Sequence, residues 1–169
     1  MRKLILLLTL PLFLIDFVTK QIIVDRFISP PPPGDPSALY FITDRAPVID
    51  GFFDLVRVHN TGVAFGMANG SAWANVVFGG VTIGALILIW WLVRSNAFPT
   101  KISKVAVALL LSGIFGNLLD RIVRGYVVDF LHFYVGEQSW PSFNVADSCI
   151  CIAAGLLFIS AFQKAPTKI

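Results

Sequence analysis

Charge is scarce in this sequence: 14% of its 169 residues are Asp, Glu, Lys or Arg, where a soluble domain carries about 25%. A chain that is also 56% hydrophobic has too little polar surface to face water on all sides. Strand-like alternation is missing from its apolar runs, which leaves helices as the means of satisfying the backbone in lipid. Cysteine is nearly absent. Cys149 and Cys151 lie two residues apart and on a helix point about 200° away from each other. They neither pair nor share a metal and read as small apolar packing residues. The two histidines, His59 and His132, are too few beside these carboxylates for a zinc motif. No G-x-S-x-G signature supports His132 as the base for Ser142, Ser148 or Cys149, so His132 reads as an interfacial aromatic. No internal repeat and no low-complexity tract beyond a run of prolines is found, and neither a metal nor a cofactor is expected.

What is present is four long apolar stretches, about 4–23, 72–93, 105–123 and 145–162. Each is near the ~20 residues that cross ~30 Å of hydrocarbon as a helix. The fold class expected is an all-α integral membrane domain of four transmembrane helices. The opening Met1-Arg2-Lys3 and apolar run resemble a secretory signal peptide. The run continues to Ile23 with no A-x-A-like site and holds Asp16 and Lys20, so a retained first span is expected.

Charge sets the orientation. Arg2, Lys3, Arg94, Lys101, Lys104, Lys164 and Lys168 flank the spans on one side with no acidic residue among them. The first loop, about 25–71, carries Arg26, Arg45 and Arg57 against Asp25, Asp35, Asp44, Asp50 and Asp54. The positive-inside rule then places both termini in the cytoplasm and both larger loops outside. Trp73 and Trp140 fall at the outer boundary, Trp90 and Trp91 at the inner one. The net charge of +3 reflects this topology, and no nucleic-acid partner is expected.

The first outer loop opens with the stiff, extended Ser29-Pro-Pro-Pro-Pro-Gly-Asp-Pro-Ser37. Phe53-Asp-Leu-Val-Arg-Val58 has strand character, and Asn60-Thr-Gly62 reads as a tight turn. In the second outer segment, Tyr126-Val-Val128 and Phe130-Leu-His-Phe-Tyr134 also read as strand. A small β-rich subdomain on the outer membrane surface is the expectation.

An ionisable group inside a span costs roughly 2.5–3.5 kcal/mol on insertion scales, so each requires a reason. At ~1.5 Å per residue from the inner boundary, Asp16 and Asn117 lie ~20 Å up, and Asp120, Arg121 and Asp147 ~25 Å up. Asp129 can return to that level. The polar residues converge on one layer beneath the outer surface. Gly113, Gly116/Asn117, Asp120 and Arg124 form a polar, small-residue stripe on the third span, whose glycines allow close helix approach. Asp16 and Lys20, i and i+4, can pair. A structural role is the simplest reading of Asp16, Lys20, Asn117, Asp120 and Arg121.

Asp129 and Asp147 differ, since neither has a basic residue within four positions. Asp147 falls in the first turn of the fourth helix, with Asn144 or Ser142 as N-cap. Two carboxyls brought within ~3 Å share one proton. One can then take a proton from water while the other polarises a carbonyl. On spacing alone, the plainer alternative stands beside this: Asp147 as a capping residue and Asp129 as a solvated loop acid.

At these residues the chain resembles the bacterial lipoprotein signal peptidases (signal peptidase II). The resemblance rests on Asp16-Phe-Val-Thr-Lys20, Asn60-Thr-Gly-Val-Ala-Phe65 and Gly113-Ile-Phe-Gly-Asn-Leu-Leu-Asp-Arg121. Gly125-Tyr-Val-Val-Asp-Phe130 and Phe143-Asn-Val-Ala-Asp147 complete the ordered series. It implies an inner-membrane aspartic endopeptidase that cleaves prolipoprotein signal peptides just before a diacylglyceryl-modified cysteine. Asp129 and Asp147 would be the catalytic dyad. Asn60, Gly62, Asn117, Arg121 and Asn144 match the family's polar and glycine positions around the site, and Asp16 with Lys20 its first-span pair. Globomycin would block such a site. Partners implied are lipid-modified precursors and membrane lipids, with the enzyme acting as a monomer. Ser112-Gly113 replaces the family's frequent paired glycines, and the Pro-rich insertion lies outside the shared pattern. Two other classes remain: a small transporter or proton channel relaying ions through Asp16, Asp120 and Asp147, and an assembly subunit docking through its outer loop.

Overall fold

The computed structural model describes residues 2–29, 44–61 and 72–163. Gly62, most of the Pro-rich stretch, Lys164 and Lys168 lie outside the described residues, as do the side chains of Arg2 and Trp73.

The first apolar stretch is helical from Arg2 to Arg26, with a π-helical turn at Ile5–Thr9 leading into α1, Leu10–Arg26. Pro11 explains the wide turn, because it has no N–H to return to the preceding turn. Thr9 donates its hydroxyl to the Ala108 carbonyl at 2.8 Å, tying this turn to the third apolar helix. After α1 come β1 (Arg45–Ile49), β2 (Phe53–Asn60), α2 (Ala72–Arg94) and α3 (Lys101–Arg124). β3 (Val127–Val135), β4 (Gln138–Ser139) and α4 (Val145–Ala161) follow. Three of these helical segments, Leu6–Arg26, Val76–Arg94 and Lys101–Arg124, are long and apolar enough to cross a membrane; α4 is apolar and shorter. Their outward faces expose large apolar side chains, including Leu7, Val81, Ile87, Trp90, Trp91, Ile122 and Phe158. This is a membrane fold of apolar helices carrying a small antiparallel sheet.

The sheet has the order β1-β2-β3-β4, so it joins the segment after α1 to the segment after α3. The strand expected at 53–58 runs on to Asn60, and the two pieces expected at 126–134 are one continuous strand through Asp129. Asn60 therefore ends a strand; Gly62 of the expected turn lies outside the described residues. Gly125, left-handed at φ 79°, ends α3 and turns the chain directly into β3. Phe53 stacks on Phe133 with centroids 4.5 Å apart, and Asp54, fully buried, accepts from the Tyr134 hydroxyl at 3.2 Å.

The starts of α3 and α4 are capped by side chains, which meets the need of the orphan N–H groups there. Thr100 and Ser103 form a capping box that starts α3 four residues before the expected position, and the Thr100 and Ser160 hydroxyls hydrogen-bond at 2.8 Å between α3 and α4. Asn144 and Asp147 form the box that starts α4.

α3 and α4 pack closely because Gly113 and Gly116 have no side chain. A Cβ on Gly113 would run into the Ala146 carbonyl and lie 2.5 Å from Ile150 Cγ1; on Gly116 it would lie 2.5 Å from Asp16 Oδ2. Cys149 is buried here while Cys151 is exposed, on opposite sides of α4.

Lys20 is the polar centre of the bundle. Its ammonium lies 2.8 Å from Asp16 Oδ2 and 3.2 Å from Asp120 Oδ2, and donates to Asn117 Oδ1 at 3.0 Å. Three oxygen atoms thus surround this one cation. Asp16 Oδ1 accepts from the Ala146 N–H of α4 at 2.8 Å, and Asp120 Oδ2 from the Val128 N–H of β3 at 3.0 Å. Asp120 also pairs with Arg124, which donates to Gln21 at 2.8 Å.

Two stability predictions follow from this packing. Gly113→Val should lower thermal stability in detergent by about 1–3 kcal/mol through overpacking. Lys20→Met leaves the buried Asp16 without its cation and strips Asp120 of one of its two, and should cost about 3–5 kcal/mol. Unfolding followed by the tryptophan signal checks both.

Candidate active site

The two acids singled out in the sequence meet around a third residue. Asp129 lies on β3 and is 2% exposed, so the alternative of a solvated loop acid is overturned. Strand pairing to β2 and burial beneath the sheet remove it from water. Asn144 donates its side-chain N–H to Asp129 Oδ1 at 2.7 Å, and Asn60, at the end of β2, donates to Asp129 Oδ2 at 2.9 Å. Both carboxyl oxygens are held from opposite sides, and each keeps a second hydrogen-bonding position.

Asp147 is placed by the same asparagine. The Asn144 side-chain oxygen accepts from the Asp147 N–H at 2.9 Å, while Asp147 Oδ2 accepts from the Asn144 N–H at 3.2 Å. Asp147 Oδ1 accepts from Asn117 Nδ2 at 2.7 Å. Capping and presentation of the carboxylate are one arrangement here, so the plainer reading of Asp147 as a cap is true and does not compete with a chemical role.

Asn117 links site and scaffold. Its Oδ1 accepts from Lys20, and from Asn144 at 3.3 Å. This fixes the amide so that Nδ2 must face Asp147. Asp16, Lys20, Asp120 and Gly113 carry no atom that bonds either acid; they hold α1, α3, α4 and β3 in the arrangement that brings the acids together. Arg121 donates to the Asn117 carbonyl at 3.2 Å, and its guanidinium lies 5.4 Å from the centre of the Phe78 ring. Both Asp129 and Asp147 attract it electrostatically. Its Nε is buried with no hydrogen-bond partner among the described residues.

Burial, and after it the charge of Asp147, push the Asp129 carboxyl up to about 7 against the opposing Asn60 and Asn144 donors. A carboxyl that keeps its proton near neutrality next to a second carboxyl has the chemistry of an acid–base pair. Among the described residues no group of three or more His, Cys, Asp or Glu side chains could hold a metal.

Sequence reading missed Arg57 and His59, treated as a loop charge and an isolated histidine. Arg57 Nη1 donates to the Val24 and Phe27 carbonyls at 2.9 and 3.0 Å, and His59 stacks on Tyr126 with centroids 3.7 Å apart. Their i, i+2 spacing puts both on one face of the strand, the signal available beforehand.

A family model described as Signal peptidase (SPase) II matches residues 8–163. The lipoprotein signal peptidase of Vibrio cholerae is 37% identical over 158 residues, 92% of this chain and 85% of that one. The lipoprotein signal peptidase of Photorhabdus laumondii is 32% identical over the same shares. That of Alteromonas mediterranea is 41% identical over 69% of this chain and 65% of its own length. A solved structure titled as a bacterial membrane enzyme, determined by the in meso method at 2.3 Å, superposes with a TM-score of 0.76 at 28% identity. The superposition covers 98% of this chain and 93% of that one. The chain belongs to the signal peptidase II family of membrane aspartic peptidases.

Proposed function

We propose that this chain is a multi-pass inner-membrane endopeptidase that cuts diacylglyceryl-modified prolipoproteins just before the lipidated cysteine, with Asp129 and Asp147 as its catalytic dyad. The observation that carries the reading is the Asn144 clamp, which bonds one carboxyl through its side-chain N–H and caps the helix that presents the other.

In this reading the chain crosses the membrane four times as a single domain, both termini lie in the cytoplasm, and the sheet rests on the periplasmic surface. α4, with 17 residues, is about 26 Å long, a few ångströms short of the hydrocarbon thickness. Its first turn, and Asp147 with it, then lies below the outer boundary. A precursor is itself a membrane helix with its lipid at the outer end, so the scissile bond arrives at that depth. One chain supplies the whole site, and a monomer suffices.

The Asp147 carboxylate takes a proton from a water molecule as that water attacks the scissile carbonyl carbon. Asp129 gives its proton to the carbonyl oxygen, forming a tetrahedral diol. Asp147 then gives its proton to the leaving nitrogen while Asp129 takes one back from a diol hydroxyl; the C–N bond breaks, a carboxyl and an amine leave, and the pair is restored. Arg121, whose buried Nε has no hydrogen-bond partner among the described residues, faces the substrate in this reading. Globomycin is expected to compete for this site.

A proton channel is the less favoured reading. A relay needs ionisable groups through the full thickness. Among the described residues the buried ones, Asp16, Lys20, Asp54, Asp120 and Asp129, belong to the outer half of the bundle or to the sheet.

Cleavage of a diacylglyceryl-modified precursor by the purified protein, with its unlipidated form as control, tests the proposal. Asp129→Asn and Asp147→Asn should each insert normally and lose about 10³-fold or more in rate; full activity in either ends the reading. Cleavage should also fall about tenfold per pH unit above the Asp129 value of about 7, because its ionisation removes the proton the pair shares. A rate that stays level to pH 9 would contradict that assignment.

A further inference from the structure

Asn60 can hold Asp129 only in one strand register. β2 pairs with β3 as Phe53↔Phe133, Asp54↔His132 and Leu55↔Leu131, and then as Val58↔Asp129, His59↔Val128 and Asn60↔Val127. One extra β2 residue lies between Leu55 and Val58, a bulge containing Val56 and Arg57. Opposed residues share a face, so Asn60, opposite Val127, is diagonal to Asp129 and within reach. Without the bulge the register slips by one. Asn60 then turns to the other face, and Arg57 and His59 come round to the face of Asp129.

The bulge residue Arg57 is anchored outside the sheet. Its Nη1 donates to the carbonyls of Val24 and Phe27, where α1 ends. The last carbonyls of a helix lack partners within it, and a guanidinium meets that need. Its Nε donates to His59 Nε2 at 3.1 Å. His59 is able to accept because burial and the Arg57 charge lower it to about 4, so the ring is neutral at working pH with its proton on Nδ1. The Tyr126 ring, immediately after Gly125, fixes the imidazole plane.

We propose that Arg57, seated in the β2 bulge and braced by His59, is a positioning residue that locks the register in which Asn60 meets Asp129. It couples the C-terminal end of α1 to the roof of the site. It touches neither the substrate nor the acids. The inference rests on Asp129 being part of the dyad.

The test reads Asp129 directly, by the infrared band of its protonated carboxyl during a pH titration, assigned by its absence in Asp129→Asn. The groups facing that carboxyl are Asn60 from β2, Asn144 and Asp147 from the start of α4, Lys20 from α1 and Arg121 from α3. Only the first depends on the β2 register. In Arg57→Met the Asn60 donor is lost, and the midpoint should rise by about one pH unit, the worth of one hydrogen bond to a charged group. The rate constant kcat should drop about tenfold with KM little changed, as expected for a displaced catalytic geometry. Arg57→Lys, which keeps a donor to the helix end, should restore most of both. His59→Phe keeps the stack on Tyr126 and removes the acceptor, so it should move the midpoint in the same direction by less. If Arg57→Met does not fold, His59→Phe decides alone.

A midpoint unmoved in the folded variants overturns the inference, even if their thermal stability falls, since a purely structural bolt would act on stability alone. Full cleavage by Asp129→Asn would instead remove the dyad reading beneath it, so the two failures are separable.

Discussion

One ammonium group organises the site without touching the acids proposed to react. Lys20 lies at ion-pair distance from Asp16 and Asp120 and donates to Asn117, and each of these residues reaches onward to another element. Asp16 bonds the start of α4, Asp120 the start of β3, and Asn117 the carboxylate of Asp147. A buried cation with incomplete partners would cost several kcal/mol, which makes this arrangement nearly all-or-none. Moving any one of α1, α3, α4 or β3 would strip a partner from a buried charge. Arg124 balances the second acid, so Asp16, Lys20, Asp120 and Arg124 sum to zero charge. The scaffold is electrically closed, and Asp129, Asp147 and Arg121 remain as the groups with chemistry to offer.

How much of this was legible follows from how local each signal is. The apolar runs at 72–93, 105–123 and 145–162 gave helices at nearly those bounds, because length and hydrophobicity dictate helix in lipid. The Asp16–Lys20 pair and the glycine stripe were readable because i, i+4 spacing is fixed by helix geometry. That Lys20 also reaches Asp120 and Asn117, about a hundred positions away, had no local signature. Depth counting brought those residues to one level, and level alone does not choose partners. The strand around Asp129 was read as two pieces, since an acid in the middle of a β run argues against continuity until its partners are known. The Asn60 amide is one such partner, from a different loop.

The bulge in β2 was the least legible feature. Val56 and Arg57 look like ordinary alternation on a half-buried strand, and an extra residue shows only once both strands are paired. It is nevertheless what decides whether Asn60 or His59 faces the acid. The outer sheet is therefore more than a cover. Through Asp120 and the Val128 N–H it is pinned to the bundle from below, and through Arg57 it is pinned to the end of α1.

Both acids lie on rigid elements, Asp147 in the first turn of a helix and Asp129 inside a strand, with one asparagine between them. That placement suits the proposed dyad. Two acids that share a proton must stay within a narrow separation while a water molecule and a peptide come between them, and loops hold such tolerances poorly. Asn144 meets the demand with groups a helix start must supply anyway. Its backbone N–H and side-chain oxygen serve the capping box, which leaves the amide N–H free to hold Asp129. Substitution by Asp or Ser would still cap the helix but would present no amide donor to Asp129. The requirement for asparagine at 144 therefore comes from the second acid, and the helix alone would not impose it.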